Sequence, residues 1–149
     1  SQEILDIYGP GSMSSTHGGN PVSCASALAN IDLLIKENLI ERTQILGEIF
    51  FKQLSSLKRE FSDYIGALHG KGMVYGLHIV KRASLEPNNE LAYAIVKHCF
   101  EQGLLMFAPV GYAEATVKIC PPLVITEEAL LEGIEVLRTS IKQAISEVG

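Results

Sequence analysis

Between Leu39 and Phe61 the chain repeats apolar side chains at three- and four-residue spacing: Leu39, Leu46, Ile49, Phe50, Leu54, Leu57 and Phe61. That period predicts an amphipathic helix from about Leu39 to Ser62, and a stripe of that length must be buried against something. The rest of the chain has to supply the partner. At 149 residues it is about the size of one ordinary domain, so two independent cores are not expected. With 47% hydrophobic and 19% charged residues, it holds enough material for a sizeable core and is too apolar for a disordered chain.

Two strand candidates follow the helix, Ile65–His69 and Met73–Val80, separated by Gly70-Lys71-Gly72. In the second, Tyr75, Leu77 and Ile79 alternate with Val74, Gly76, His78 and Val80, as a sheet covered by helices on one side requires. Pro87-Asn88-Asn89 opens a helix to about Gln102, with Gly103 in the place of a C-terminal glycine cap. Leu104–Phe107 and Thr116–Cys120 are the remaining strand candidates. Pro121-Pro122 ends the sheet, and Thr126 caps a last helix with Glu127 and Glu128 in its first turn and a stripe of Leu130, Ile134, Leu137, Ile141 and Ile145. Upstream, Asn20 is placed as an N-cap and Pro21 at the first helical position. The run Val22–Lys36 that follows is crowded with small residues, which predicts a helix buried close against a neighbouring backbone. The order, two helices and then ββαββα, predicts an α+β fold with a small antiparallel or mixed sheet covered by helices on one face.

Charge and cysteine usage narrow the function. Twelve Lys+Arg against seventeen Asp+Glu give a formal charge of −5, with no basic run, so nucleic acid is not an expected partner. No apolar stretch approaches the roughly 18–20 residues of a membrane-spanning helix, so a membrane is not expected either. Cys24, Cys99 and Cys120 are scattered and in no paired spacing, which predicts a reduced, cytoplasmic chain. Cys99 and Cys120 fall on faces predicted to be buried, where a free thiol is a small hydrophobe. His17, His69, His78 and His98 lack metal-ligand spacing, so no metal site is expected.

The Gly/Ser-rich stretch from Gly9 to Gly19, with Ser14-Ser15-Thr16-His17-Gly18-Gly19-Asn20-Pro21 at its end, places hydroxyls and unhindered N–H groups just before a helix N-terminus. That is the recipe for holding a phosphate. Composition leaves the segment open between such a site and a plain loop.

Three blocks in order decide more. Thr16-His17-Gly18-Gly19-Asn20-Pro21 before a small-residue helix, Gly70-Lys71-Gly72-Met73-Val74-Tyr75-Gly76, and Lys118-Ile119-Cys120-Pro121-Pro122-Leu123-Val124-Ile125-Thr126 resemble segments of the class III aminotransferases. These are fold type I enzymes that use pyridoxal 5'-phosphate. The resemblance implies the C-terminal portion of such an enzyme: residues 1–38 as the tail of the large cofactor-binding domain with the connecting helix, and 39–149 as the C-terminal small domain. It implies that Thr16, with Ser15 beside it, binds the cofactor phosphate across the interface of a homodimer, in the second subunit's site, and that His17 packs beside that phosphate. The family's usual arginine at the third block, which grips a substrate carboxylate with a planar fork, is Lys118 here. Lys118 keeps the charge without the fork, and its reading stays open between a substrate-binding residue and a solvated strand lysine.

The same resemblance places the Schiff-base lysine, the acidic partner of the pyridine nitrogen and the glycine-rich phosphate loop upstream of the first block. All eight lysines follow that block, none in a matching motif, and the chain has no initiator Met. A fragment inactive on its own is therefore expected, from a parent that moves an amino group from an amine or amino acid to a keto acid. The competing expectation is a free-standing, non-catalytic α+β binding or dimerisation module.

Overall fold

The computed structural model describes residues 2–9, 11–12 and 15–149, so Pro10, Met13 and Ser14 of the Gly/Ser stretch lie outside the described residues. The chain divides into two units, Ser1–Asn38 and Leu39–Gly149. The first holds a single helical turn, α1 (Gln2–Leu5), and the long helix α2 (Pro21–Lys36). The second holds α3 (Leu39–Glu60), β1 (Ile65–Lys71), β2 (Val74–Ile79), α4 (Asn89–Glu101), β3 (Thr116–Ile119) and α5 (Glu127–Val148).

Helix α2 starts where its cap chemistry says it should. The Asn20 side-chain oxygen accepts from the Val22 and Ser23 backbone N–H groups at 3.0 and 3.2 Å, with Pro21 in the first turn. Its predicted burial is wrong: no residue of α2 is buried, and Val22, Leu28, Ile31 and Ile35 are exposed. Local propensity and capping build this helix, and its small and aliphatic side chains stay exposed.

The second unit carries the core. Strands β1, β2 and β3 form one antiparallel sheet in that order, which settles the choice between antiparallel and mixed. Phe50, Leu54 and Leu57 of α3, Leu91 and Ile95 of α4, and Leu137 and Ile141 of α5 bury fully against Leu77, Ile79 and Val117 of the sheet. Each such side chain contributes about 1.5–3 kcal/mol of transfer free energy. Phe50 meets Tyr75 edge-on, with ring centroids 5.1 Å apart.

The glycines of the second block have steric reasons. At Gly70 a Cβ would lie 2.2 Å from the Val74 carbonyl oxygen, and Gly72 turns the hairpin at φ +60°. Gly47 of α3 faces that turn so closely that a Cβ would sit 2.9 Å from the Gly72 Cα. The helix therefore lies directly on the β1–β2 turn.

Two further expectations are corrected. Leu104–Phe107 forms no strand. It has the alternation of one, with Leu104 and Met106 packed on the core and Leu105 and Phe107 exposed, but no ladder pairs it. Burial parity alone produced the pattern. Cys120 is exposed, not buried, because β3 ends at Ile119 and the chain turns into Pro121-Pro122. Cys24 is likewise exposed, whereas Cys99 is buried beside Ser140, and burial pushes its thiol pKa up.

Candidate functional site

Ser15 and Thr16 lie in the exposed turn ahead of α2. The Ser15 carbonyl accepts from the Gly18 N–H at 3.0 Å, the His17 carbonyl accepts from the Asn20 N–H at 3.1 Å, and Gly19 takes φ +74°. These bonds wind residues 15–20 into consecutive turns that present two hydroxyls to solvent before a capped helix N-terminus. Such a turn can donate to an anion. His17 is exposed in the same turn.

Lys118 belongs to the other unit. Cross-strand pairs Leu77↔Val117 and Tyr75↔Ile119 put Val117 and Ile119 on the helix-covered face, while Gly76↔Lys118 and His78↔Thr116 put Lys118 on the opposite one. Strand parity thus sets Lys118 on the face opposite Val117 and Ile119. Lys118 is half-buried, and its ammonium stands 5.1 Å from the Phe107 ring centroid, a cation–π contact that restrains the long side chain. It stands at the rim of an apolar groove of about 470 Å³ floored by Phe50, Leu130 and Ile134 and walled by Leu104–Phe107 and Cys120–Pro122. The structure brings Ser15 and Thr16 together in one turn and sets Lys118 in the second unit.

The third block does more than carry Lys118. Thr126 Oγ1 accepts from the Ala129 N–H at 3.2 Å and starts α5. The Arg42 guanidinium of α3 donates to the carbonyls of Leu123 and Ile125, tying the proline-rich junction to the helix below it. Sequence reasoning missed Arg42, which is separated by about eighty residues from what it holds and sits in no motif of its own.

Over residues 1–141 the sequence matches the model of the class-III aminotransferases. The chain belongs to the class-III aminotransferase family. It is 34% identical over 140 residues to an acetylornithine aminotransferase of Synechocystis, covering 94% of this chain and 31% of that protein. It is 33% identical over 145 residues to an alanine/serine racemase of Pyrococcus horikoshii, covering 97% of this chain and 30% of the relative. A solved Bacillus anthracis aminotransferase superposes with a TM-score of 0.80 at 30% identity, covering 96% of this chain and 34% of its own. The chain thus spans about a third of the length of these aminotransferase-family relatives.

Within the family frame Gly72 is the hairpin turn residue, Gly76 lies inside β2, and Pro121-Pro122 form the junction after β3. Among the described residues, no group of three or more His, Cys, Asp or Glu side chains is placed to hold a metal ion, and no helix is long and apolar enough to cross a membrane.

Proposed function

We propose that residues 1–149 are the C-terminal part of a cytoplasmic, homodimeric class-III transaminase that uses pyridoxal 5'-phosphate to move an amino group from an amine or amino acid to a keto acid. The observation that carries this reading is the family match across 1–141, with its first and third blocks folded as an exposed hydroxyl turn and a cation-bearing strand. The exposed aliphatic residues of α2 support it, because they call for a cover that the rest of a larger assembly would supply.

The donor set of residues 15–20 suits one end of the cofactor. Two exposed hydroxyls and backbone N–H groups ahead of a helix fit its phosphate, and Ser15 and Thr16 would hold that group in the second subunit's site. No lysine here lies in the family's cofactor-anchoring context, so the chain alone does not carry the cofactor covalently. When bound, pyridoxal phosphate supplies an electron sink for the bonds at the substrate's amine-bearing carbon. Lys118 would hold the substrate's carboxylate as a single point charge and orient it.

Substitution in the full-length parent tests this. Lys118→Ala should raise KM for the charged substrate and leave cofactor affinity nearly unchanged. The expected loss is about 1.5–3 kcal/mol in kcat/KM, the range for a hydrogen bond to a charged group. Unaltered kcat/KM for every active donor and acceptor pair would make Lys118 a structural strand residue. A stoichiometric adduct on a single lysine, after mixing the 149-residue chain with the cofactor and reducing with borohydride, would overturn the predicted inactivity of the fragment.

A further inference from the structure

Strand β3 is held on both sides at its start and on one side at its end. It pairs with β2 from His78↔Thr116 to Tyr75↔Ile119, and an isolated bridge, Val110↔Thr116, meets its other edge. Thr116 exchanges both backbone bonds with Val110, so by the alternation of a strand the Lys118 N–H and carbonyl point to that same outer edge. Among the described residues nothing pairs with them there. Past Ile119 the ladder is over. Pro121 and Pro122 have no N–H to give, and the Ile125 N–H donates to the Pro122 carbonyl at 3.0 Å as a local turn.

Arg42 supplies the long-range hold that this stretch lacks. Its Nη1 donates to the Leu123 carbonyl and its Nη2 to the Ile125 carbonyl, so the two arms of one planar fork close on carbonyls two residues apart. Helix stability does not select a cation here. Arg42 lies in the first turn of α3, where the helix dipole disfavours positive charge. The helix that carries it is fixed by the buried Leu46 and Phe50. Phe50, about two turns further on, floors the groove whose wall includes Pro121, Pro122 and Ile125. One side chain thus ties the helix of the floor to the wall that continues from Lys118.

We propose that Arg42 is a positioning residue for the transaminase substrate. By gripping the Leu123 and Ile125 carbonyls it fixes the stretch from Cys120 to Ile125, and so holds the one-sided end of β3, with Lys118 on it, at the rim of the groove. This role rests on the reading of Lys118 given above and adds to it a residue that acts only through others. The grip depends on the fork and not on charge alone, since a lysine at position 42 would reach one carbonyl at a time.

Two measurements test this. The first is NMR of Arg42→Ala in the 149-residue chain, where Leu39–Gly149 holds its own core. The Lys118 ammonium stands 5.1 Å from the Phe107 ring centroid, so the methylene protons next to it feel the ring. In the variant their resonances should move toward those of a free lysine. The amides of Ile125, Ala129 and Leu130, which donate to Pro122 and Thr126, should exchange several-fold faster, while that of Ile141 stays protected. Arg42→Lys should show the same changes at smaller size and replaces the alanine variant if that one does not fold. Unmoved Lys118 resonances in the folded variant overturn the role. The second measurement is steady-state kinetics of the full-length parent. Arg42→Ala should raise KM for the charged substrate roughly three- to ten-fold, part of the loss expected of Lys118→Ala, with kcat and cofactor affinity nearly unchanged. On a Lys118→Ala background it should add nothing. An additive rise overturns the role, because Arg42 would then act through something other than Lys118. Failure of the enzymatic reading looks different: Lys118→Ala itself leaves kcat/KM unaltered, and the NMR measurement still decides whether Arg42 holds the end of β3.

Discussion

Helices α2 and α5 look alike locally and differ in everything beyond it. Both open on a side chain that accepts from the first-turn N–H groups, Asn20 in one and Thr126 in the other. Helix α5 buries Leu130, Ile134, Leu137, Ser140, Ile141 and Ala144, whereas α2 buries nothing. Capping and propensity therefore decide that a helix forms and where it starts. Whether it contributes to a cooperative fold depends on what lies against it. By that standard Leu39–Gly149 holds its own core, and the described residues of Ser1–Asn38 bury none.

The largest effect should separate the two units outright. Leu77→Ala removes a fully buried side chain at the centre of the sheet and should cost about 2–5 kcal/mol, as core truncations of this kind do. Leu28→Ala, at a side chain 63% exposed, should cost less than about 0.5 kcal/mol. Urea unfolding followed by near-ultraviolet circular dichroism of the packed Tyr75 measures both. A comparable cost for Leu28→Ala would mean that α2 is part of the same cooperative unit, and the comparison would fail.

An intermediate effect sharpens what holds the second unit together. Gly47→Ala improves helix propensity in α3 but drives a methyl to 2.9 Å from the Gly72 backbone. Backbone cannot swing aside as a side-chain end can, so overpacking should win, with a net loss of about 1–3 kcal/mol. Gly133→Ala in α5 is the control, since its Cβ would meet only the Leu104 side chain at 3.5 Å, an ordinary contact. There the propensity gain should show as a slight stabilisation. A loss at Gly47 beside a slight gain at Gly133 would confirm that close approach, not helicity, selects Gly47.

These contrasts also explain how far the sequence could be read. The period of Leu46–Leu57 and the parity of Tyr75, Leu77 and Ile79 report directly on burial, and the helices and the β1–β2 hairpin were legible for that reason. The same parity misled at Leu104–Phe107, because alternate burial is necessary for a strand while the ladder partner is not written in the segment itself. It misled again at α2, where apolar and small residues name a buried face without naming the partner. Arg42 stayed out of reach because it joins positions about eighty residues apart through packing alone. The reading of Thr16, and of Ser15 beside it, rests only on the six-residue block Thr16–Pro21, since an exposed turn hydroxyl carries no periodic signal.

The smallest effect tests the premise that both caps act locally and alike. Each cap satisfies helix N–H groups that otherwise have no intrahelical acceptor, Asn20 two of them and Thr126 one. Replacing either by Ala should remove about 1 kcal/mol from its own helix. In α5 that loss passes into the global unfolding free energy, because the first turn of α5 leads straight to the buried Leu130. In α2 it should leave the urea midpoint of the core unmoved and appear instead as a loss of helical signal at 222 nm and faster amide exchange over residues 22–25. A shift of the core midpoint in Asn20→Ala as large as that in Thr126→Ala would show that the first unit shares the stability of the second. The exposed aliphatic face of α2 would then have a partner inside this chain.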